Sequence, residues 1–374
     1  MKKIAIITRH AVPNYGSLYQ AYALQEAIKK INNEPFIVDA EYSYYSADKI
    51  SKDAMKTSKY KKIPLINVIS YLIKYVRYSK PIKIFRIYQK KWLNLSRQYT
   101  DKEEFYKNYP KADIYMIGSD QVWNIMPDGK IESMYFLDFV KDKTKKVSYA
   151  ASFGSEKKIK TELADITNYL KDFDKITVRE NDGLRILREN GVLGEQVLDP
   201  TLLLNINDWN LVMENINLPN EYILLYQVNH NKDLCKKAAA FAKRKGMKLI
   251  RVTNDMSEIF WGEGFTYLPT PAQFLYIIKN AKYVITDSFH GTCFCINFNK
   301  NFIDVLPENH SQRNRSVLDF FDLTDRIICI RGDSYRKSVS YQYRQSLKFS
   351  WKLRHDLGRD TASTKNRFSR AGCQ

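Results

Sequence analysis

His290 is the residue whose type and position most directly suggest chemistry. It stands in the sequence TDSFHG at residues 286–291, directly after the apolar run at 283–285. This order predicts a buried strand that gives way to a helix. Helix N-termini at the carboxyl ends of parallel strands present unpaired N–H groups to phosphates and carboxylates, and an imidazole there can exchange a proton with an anionic substrate. By itself the pattern favours a plainer interpretation, in which Ser288 or Thr286 caps the helix and His290 has no catalytic role.

Two further polar turns lie where strands and helices are predicted to meet. In YMIGSDQVWN at residues 115–124, the glycine lets the backbone approach a ligand, and the serine and aspartate after it can cap a helix or hold a sugar hydroxyl. The turn NYGS at residues 14–17 is similar, although a single glycine is a weak phosphate signal. The tryptophan of the first turn fits a core position equally well. The candidates for contacts with an acceptor or a cleft are Asn14, Tyr15, Gly16, Gly118, Ser119, Asp120 and Trp123.

Three arginines are candidates for binding an anion. Arg179 follows the strand predicted at residues 176–178, where its guanidinium can fork onto a phosphate or a carboxylate. Arg313 and Arg315 precede a helix predicted at 316–323 and could neutralise an anion in a cleft. A simpler role is open to all three: Arg179 can pair with Glu180, and the other two fit a solvated charge run.

These residues need a scaffold, and the chain alternates short apolar runs with helical patterns in two successive series. Strands are predicted at 3–8, 36–40, 114–117, 146–151 and 176–178, and then at 222–228, 247–252, 284–286, 302–306 and 327–330. Helices are predicted between them, one of them starting at Thr270-Pro271. Such alternation is typical of parallel α/β layers. We therefore expect an α/β fold with two Rossmann-like domains, at residues 1–205 and 215–332, and a cleft between them.

Basic charge is concentrated in two segments of this chain, which has 374 residues and a formal net charge of +19. Residues 51–100 hold 13 Lys and Arg against one acid, and residues 331–374 hold 11 against three, so the remainder is nearly neutral. The first segment interrupts the alternation and predicts a basic, aromatic helical insertion at about 45–110. Residues 333–374 predict a basic C-terminal helix followed by a polar tail of a kind that is often disordered.

Neither a membrane helix nor a metal site is predicted. No apolar run approaches the roughly 20 residues that a membrane helix needs, and the first residues fit a strand, so we expect a cytoplasmic protein. The five cysteines show no paired metal spacing, and Cys293 and Cys295 would point to different sides of a helix. We interpret the cysteines as reduced thiols, mostly within the core.

Taken together, several segments resemble the polysaccharide pyruvyl transferase family. They are NYGSLYQAYALQ at 14–25, YMIGSDQVWN at 115–124, SYAASFGS at 148–155, ITVRE at 176–180, VLDPTLLL at 197–204, NAKYVITDSFHG at 280–291 and SVLDFFDLTDRI at 316–327. Their order covers roughly residues 1–332. The resemblance implies two Rossmann-like domains in a GT-B-like arrangement. It also implies that phosphoenolpyruvate gives its pyruvyl group to two hydroxyls of a sugar, forming a cyclic ketal and releasing phosphate, with no metal and no cofactor.

The resemblance also implies roles for the candidate residues. His290 would be catalytic, as acid and base or as a phosphate contact, because the enol carbon of phosphoenolpyruvate must be protonated. The donor-binding residues would be Arg179, Ser288, Gly291, Thr292, Arg313 and Arg315. Many family members carry arginine at the position of Ser288, so Arg313 or Arg315 would supply that cation here. The acceptor would be a sugar of a capsule, exopolysaccharide or cell-wall precursor, linked to a lipid or a nucleotide.

The sequence leaves two other functions open. A GT-B glycosyltransferase that uses a sugar nucleotide would share the fold and the anion contacts. A non-enzymatic protein could use the basic, aromatic segment at 51–100 to bind RNA or a membrane surface. In an enzyme, the same segment would contact anionic lipid at the inner face of the cell membrane, whereas burial of residues 63–78 in the N-terminal domain would account for it without a partner. We do not expect nucleic acid as a partner, and the sequence does not indicate the oligomeric state.

Overall fold

The computed structural model describes residues 1–40, 46–56, 64–125, 131–154, 163–306 and 311–328. The basic helix and tail expected at residues 333–374 lie outside the described residues. Within the described ranges, the chain forms two main parallel sheets, each flanked by helices. No helix of the described part is long and apolar enough to cross a membrane.

The N-terminal half is built on a parallel sheet with the strand order β2-β1-β3-β4. Its strands are β1 at Lys3–Ile7, β2 at Glu34–Ile37, β3 at Ile114–Ile117 and β4 at Lys145–Ser148. Helix α1 at Tyr15–Lys30 connects β1 to β2, and its start is fixed by Asn14, whose side chain accepts a hydrogen bond from the N–H of Gly16 over 2.8 Å. The strands and the helix predicted from the sequence are confirmed to within a few residues.

Further helices and a short strand pair complete this half. They are α2 at Ala47–Lys56, α3 at Pro64–Trp92, α4 at Lys102–Asn108, α5 at Leu163–Leu170 and α6 at Asn181–Glu189, with β5 at Thr177–Val178 and β6 at Glu195–Gln196. Strands β5 and β6 are parallel, and bridges from Val147 to Lys175 and from Ala151 to Val178 attach them to the edge of the first sheet. Helices α2 to α4 occupy the region where the sequence predicts a helical insertion.

The C-terminal half contains a six-stranded parallel sheet with the order β12-β11-β10-β7-β8-β9. Its strands are β7 at Tyr222–Tyr226, β8 at Lys248–Thr253, β9 at Phe265–Tyr267, β10 at Tyr283–Thr286, β11 at Asn301–Val305 and β12 at Ile327–Ile328. The sequence does not predict β9, because its three residues are only partly buried and the segment lacks a continuous apolar run.

Five α-helices lie in the described part of the C-terminal half. They are α7 at Ile206–Asn210, α8 at Lys232–Lys245, α9 at Pro271–Asn280, α10 at Phe289–Asn297 and α11 at Ser311–Phe320. Thr270 and Gln273 form a capping box at the start of α9, as the Thr-Pro sequence predicts. Strand β10 leads directly into α10, which confirms the strand-to-helix junction expected around His290.

An aromatic core joins the two halves of the molecule. The ring of Tyr15 in α1 stacks on Phe274 in α9 with centroids 4.4 Å apart, and its hydroxyl donates to the carbonyl of Pro269 over 2.5 Å. One turn along α1, the hydroxyl of Tyr19 donates to the carbonyl of Pro271 over 2.8 Å. These side chains are buried in one hydrophobic cluster with residues of both halves, so α1 is packed against the second half as well as against its own sheet.

Helix α3 differs from the interpretation in which residues 63–78 are buried. Among the described side chains of this stretch, most of the large apolar ones are exposed, including Ile73 at 62% and Val76 at 69%. The C-terminal part of the helix is anchored instead, because Phe85, Tyr88 and Trp92 belong to the core. The burial interpretation is therefore wrong for the described N-terminal part of α3.

Candidate functional site

His290 lies in the first turn of α10, where the local sequence fixes its position. The Ser288 hydroxyl accepts a hydrogen bond from the N–H of Gly291 over 3.3 Å, and the Ser288 N–H donates to Oγ1 of Thr286 over 3.0 Å. This cap starts the helix one residue before His290. A Cβ at Gly291 would overlap the Thr286 hydroxyl, so glycine is required for the junction to close. The imidazole is mostly buried, with 14% of its side chain exposed.

The N-terminus of α1 lies directly against the imidazole. A Cβ at Gly16 would overlap Nδ1 and the neighbouring carbons of the His290 ring, so only glycine allows this approach. Two helix N-termini, from opposite halves of the molecule, therefore meet at His290. Each helix carries partial positive charge at this end, which favours a negatively charged ligand between them.

Asp199 is the acidic partner at the centre of the site. Its Oδ2 accepts hydrogen bonds of 2.9 Å from the Ser119 hydroxyl and from Nη1 of Arg179, and its Oδ1 accepts from the N–H and hydroxyl of Thr201. His290 Nε2 lies 3.7 Å from Oδ2, at ion-pair distance. Burial alone raises the pKa of Asp199, but His290 and Arg179 more than compensate and hold that pKa far below its usual range. Asp199 is therefore a buried, ionised carboxylate.

Arg179 is fixed on several sides and leaves one nitrogen without a partner. Nε donates to Oε1 of Glu180 over 3.0 Å, Nη1 binds Asp199, and the guanidinium carbon lies 4.3 Å from the centroid of the Phe289 ring. Burial lowers the pKa of Arg179, but the charges of Glu180, Asp199 and Asp120 raise it above its usual value, so the side chain stays charged. Nη2 is buried with no hydrogen-bond partner.

Arg313 of α11 is partly buried and adds another nitrogen without a hydrogen bond to the site. The start of α6 reaches α11 through the N–H of Asn181, which donates to the Ser316 hydroxyl over 3.2 Å. Burial and the nearby charge of Arg179 lower the pKa of Arg313, and its Nε has no hydrogen-bond partner. Nε2 of His290 and Nη2 of Arg179 are also buried without a hydrogen-bond partner. Buried donors without acceptors are costly, so this cluster is suited to receive an anionic ligand.

Ser119 and Asp120 also reach this cluster. The Ser119 side chain is fully buried against Asp199, and Oδ2 of Asp120 accepts a hydrogen bond of 2.7 Å from the Ser17 hydroxyl. Burial raises the pKa of Asp120, but the charges of Arg179 and His290 outweigh it and lower that pKa. Asp120 has a φ of 80°, which turns the backbone sharply after β3.

Four other candidate residues pack or form hydrogen bonds within the fold. Trp123 lies in the core and donates from Nε1 to the carbonyl of Tyr135 over 2.9 Å. Gly118 provides close packing between β3 and Thr8 at the end of the first strand, and Tyr15 belongs to the aromatic core between the halves. The Thr292 hydroxyl donates to Asp304 over 2.7 Å, inside the C-terminal half.

Two of the candidates lie at the surface. Asn14 is exposed and caps α1 beside Gly16, close to the imidazole. Arg315 is exposed, unlike Arg313 two residues before it. Arg313 and Arg315 were the two candidates to replace the arginine that many family members carry at position 288. The structure brings only Arg313 into the charged cluster.

Sequence reasoning missed Asp199 as a site residue. The segment VLDPTLLL attracts attention through its proline and its resemblance to a family, whereas its aspartate does not stand out. A signal was present: Asp199 follows the short strand β6 and caps the 3₁₀ helix Pro200–Leu202, which places a carboxylate at the same sheet edge as Arg179.

A metal site and a separate cavity are two other features that could bind a ligand. In the ranges that the structure describes, no group of three or more His, Cys, Asp and Glu side chains is arranged to hold a metal ion. A cavity of about 630 Å³ is lined by Lys2, Asp113 and Thr144, among others. It lies at the amino ends of β1, β3 and β4, which is the edge opposite the charged cluster, so it does not belong to the candidate site.

Comparison with a family model shows the family of this chain, and comparison with solved structures shows its fold. The model of the family described as polysaccharide pyruvyl transferase matches residues 14–310. Comparison of the sequence with curated proteins finds no significant match. Among solved structures, the chain is similar to a UDP-GlcNAc 2-epimerase from Neisseria meningitidis bound to UDP-GlcNAc, with a TM-score of 0.51, 10% identity and 94% of each chain covered. A co-structure of MnaA from S. aureus with UDP gives a TM-score of 0.50 at 12% identity, covering 95% of this chain and 90% of that one. The fold is α/β with two Rossmann-like domains in the GT-B arrangement.

Proposed function

Because the chain belongs to the polysaccharide pyruvyl transferase family, we propose that it transfers the pyruvyl group of phosphoenolpyruvate to a sugar. The observation that carries the proposal is the cluster of Arg179, His290 and Arg313, each of which has a buried nitrogen without a hydrogen-bond partner. Phosphoenolpyruvate offers a phosphate and a carboxylate, which would satisfy these donors. The first turns of α1 and α10 would contribute their helix dipoles.

In this proposal the donor is held between the two halves of the molecule. Arg179 comes from the N-terminal half and is fixed by Asp199, Glu180 and the Phe289 ring, so its free Nη2 has a defined direction. Arg313 comes from the C-terminal half. A ligand bound by both arginines would offset their mutual repulsion and exclude water from the imidazole, both of which strengthen the electrostatic contacts.

The imidazolium of His290 would supply the proton that the reaction needs. It protonates the methylene carbon of phosphoenolpyruvate, and a sugar hydroxyl attacks the adjacent carbon, returning its proton to His290. A second hydroxyl then displaces phosphate from the same carbon, and its proton leaves with the phosphate. One donor and one diol thus yield one ketal and one inorganic phosphate. Asp199, at 3.7 Å from Nε2, would stabilise the charged imidazole between these transfers.

The acceptor would approach from the side of Asp120 and the start of α1. Asp120 is an ionised carboxylate that already accepts a hydrogen bond from Ser17, and its remaining lone pairs suit sugar hydroxyls. We propose a sugar of a capsule, exopolysaccharide or cell-wall precursor as the acceptor. No metal or cofactor takes part in the proposed steps.

Release of phosphate from phosphoenolpyruvate, measured with a panel of sugar acceptors, tests the proposal. We expect release that depends on the acceptor, and a loss of kcat of about a hundredfold or more in His290→Ala. The variant should keep its circular dichroism spectrum and its thermal unfolding temperature. Stabilisation of the protein by UDP- or GDP-sugars, with none by phosphoenolpyruvate and no phosphate release, would contradict the proposal and favour a sugar-nucleotide glycosyltransferase.

A further inference from the structure

One side of helix α3 carries an exposed apolar surface that the proposed chemistry does not use. Its side chains follow helical spacing, so they share one side of the helix. They are Val68, Ile69, Leu72, Ile73 and Val76, and each is at least half exposed. In a helix of a folded domain such a stripe normally faces the core, and an exposed cluster of this kind marks an interaction surface.

Lysines continue the same side of the helix beyond the apolar residues. Lys80, Lys83 and Lys90 lie at helical spacing with the stripe and are exposed. The sequence of α3, residues 64–92, contains seven Lys and Arg and no acid. The exposed side is therefore apolar in its first half and basic in its second. We call these five apolar residues and three lysines the α3 surface.

Residues of the C-terminal half contact α3 beside the α3 surface and expose further apolar side chains there. Arg77, at the edge of the stripe, forms an ion pair with Asp255, and Nζ of Lys80 lies 4.9 Å from the centroid of the Tyr267 ring. Directly after Asp255, the 3₁₀ helix Met256–Trp261 exposes three apolar side chains, among them Phe260 at 86%. Exposed apolar groups from both halves thus lie near one another beside α3.

We propose that the α3 surface docks on a bilayer that contains anionic phospholipid. Aliphatic side chains would enter the boundary between headgroups and acyl chains, and the lysines would contact phosphates while their stems cover apolar surface. Charge complementarity selects this occupant. Two copies of the α3 surface would bring like charges together, and RNA would find exposed aliphatic side chains where base stacking needs aromatic ones.

Arg77 and Lys80 of α3 contact Asp255 and Tyr267 at the carboxyl ends of β8 and β9, the same sheet edge at which His290 follows β10. Docking would therefore turn this edge, which borders the cleft, toward the membrane. If the proposed pyruvyl transfer is correct, this geometry favours an acceptor sugar carried on a lipid, because headgroup and cleft would then share the same interface. The statement about the acceptor rests on the proposed function, whereas the binding of lipid does not.

Flotation of the full chain with vesicles tests the docking without any substrate. The vesicles are phosphatidylcholine alone, or an equal mixture of phosphatidylcholine and phosphatidylglycerol, each at low and at high salt. We expect binding to the anionic vesicles at low salt and weaker but measurable binding at high salt, because the apolar contacts are not screened. Absence of lipid-dependent binding at either salt would overturn the proposal.

Paired variants locate the binding on the α3 surface. The double substitution Ile73→Glu and Val76→Glu should lower partitioning into anionic vesicles about tenfold or more, and Lys83→Glu with Lys90→Glu should lower both the binding and its salt dependence. The matched control is Leu193→Glu with Leu211→Glu, two leucines exposed at 93% and 83% elsewhere, which should bind as the wild type does. Equal losses in the control pair would overturn the assignment to α3.

Two further readouts distinguish lipid docking from self-association and from a loss of turnover. If Ile73→Glu with Val76→Glu dissociates an oligomer in sedimentation velocity while vesicle binding is unchanged, the surface binds a second copy of the chain and the lipid proposal is wrong. Phosphate release with a water-soluble acceptor should be the same in this variant and in the wild type. Failure of lipid binding therefore leaves the proposed pyruvyl transfer standing, and failure of turnover leaves lipid binding standing.

Discussion

At the scale of single residues, His290 acquires its significance from its neighbours. Its local sequence fits a capped helix with an unremarkable histidine, and the cap at Ser288 is indeed present. The local pattern does not contain Asp199 at 3.7 Å or the bare backbone of Gly16 against the ring. It also does not contain the two arginines, Arg179 and Arg313, each of which has a buried nitrogen without a hydrogen bond. These neighbours come from distant parts of the chain and together make an anion-binding interpretation the most economical.

We expect Arg313 to lower the stability of the ligand-free protein and to strengthen the binding of phosphoenolpyruvate. Its guanidinium is partly buried near Arg179, and its buried Nε has no hydrogen-bond partner, so Arg313→Gln should raise the free energy of unfolding of the ligand-free protein by about 1 kcal/mol. The same change should weaken phosphoenolpyruvate binding about ten- to a hundredfold, since a hydrogen bond to a charged group is lost. Urea unfolding and calorimetric titration measure the two effects.

The exposed Arg315 provides the control for this prediction. Arg315→Gln removes the same charge two residues away and should change neither stability nor donor affinity appreciably. Equal effects of the two substitutions would show that overall charge, rather than the position of Arg313, controls binding.

Gly16 should be needed for turnover more than for folding. A methyl group in Gly16→Ala would overlap the imidazole, so the ring must rotate away from its position near Asp199. We expect kcat to fall by about a hundredfold, while the α1 helix itself loses nothing, because alanine is a better helix former than glycine. Steady-state kinetics together with circular dichroism measure this, and unchanged kcat would show that the contact with Gly16 is not used.

At the scale of elements, the sequence predicts the strands and helices well but not the surface of α3. Short apolar runs such as that of β10 are bounded by polar turns, and Thr270-Pro271 marks the start of α9, so these elements follow from local chemistry. Strand β9 escapes prediction because its burial is partial. The interpretation that residues 63–78 are buried is wrong for the described start of α3. The spacing of apolar residues does not show whether that side of a helix faces the core or an external partner.

The carboxyl group of Asp304 links β11 to α10 and α11 and should make stability depend on pH. It accepts hydrogen bonds from the Thr292 hydroxyl and the Asn314 amide, and burial raises its pKa to about 7. The folded protein thus retains a proton that the unfolded chain releases near pH 4. The contribution of this bound proton to the free energy of unfolding is complete below about pH 4. It declines by up to about 1.4 kcal/mol per pH unit until the pH reaches about 7.

Asp304→Asn removes this titration and is the variant that tests it. Between pH 5 and pH 8, the free energy of unfolding should fall further in the wild type than in the variant. Urea unfolding at the two pH values gives the comparison, and parallel behaviour of the two proteins would show that Asp304 does not titrate in this range.

At the scale of the whole molecule, the site exists only because two halves meet. The sequence predicts the two-domain fold from its repeated alternation and, through the positions of strand ends, the general place of the cleft. It cannot predict which strand ends face each other across the cleft, since that depends on the stacking of Tyr15 on Phe274 and the contact of α6 with α11. These long-range contacts bring Arg313 to Arg179 and leave Arg315 outside.

The shared aromatic core should make the two halves unfold together. Phe274 is fully buried between Tyr15 and Tyr226, so Phe274→Ala should lower the free energy of unfolding by about 3–5 kcal/mol. It should also loosen the cleft and raise the KM for the donor. Differential scanning calorimetry of the wild type should give one transition. Two separate transitions in the wild type would mean that the interface does not couple the halves.

The most direct test of the account is a calorimetric titration of the whole protein with phosphoenolpyruvate, beside UDP-GlcNAc as the competing ligand class. The account predicts saturable binding of phosphoenolpyruvate at one site, weakened about tenfold or more by Arg313→Gln and unchanged by Arg315→Gln. Binding of UDP-GlcNAc with no binding of phosphoenolpyruvate would contradict it.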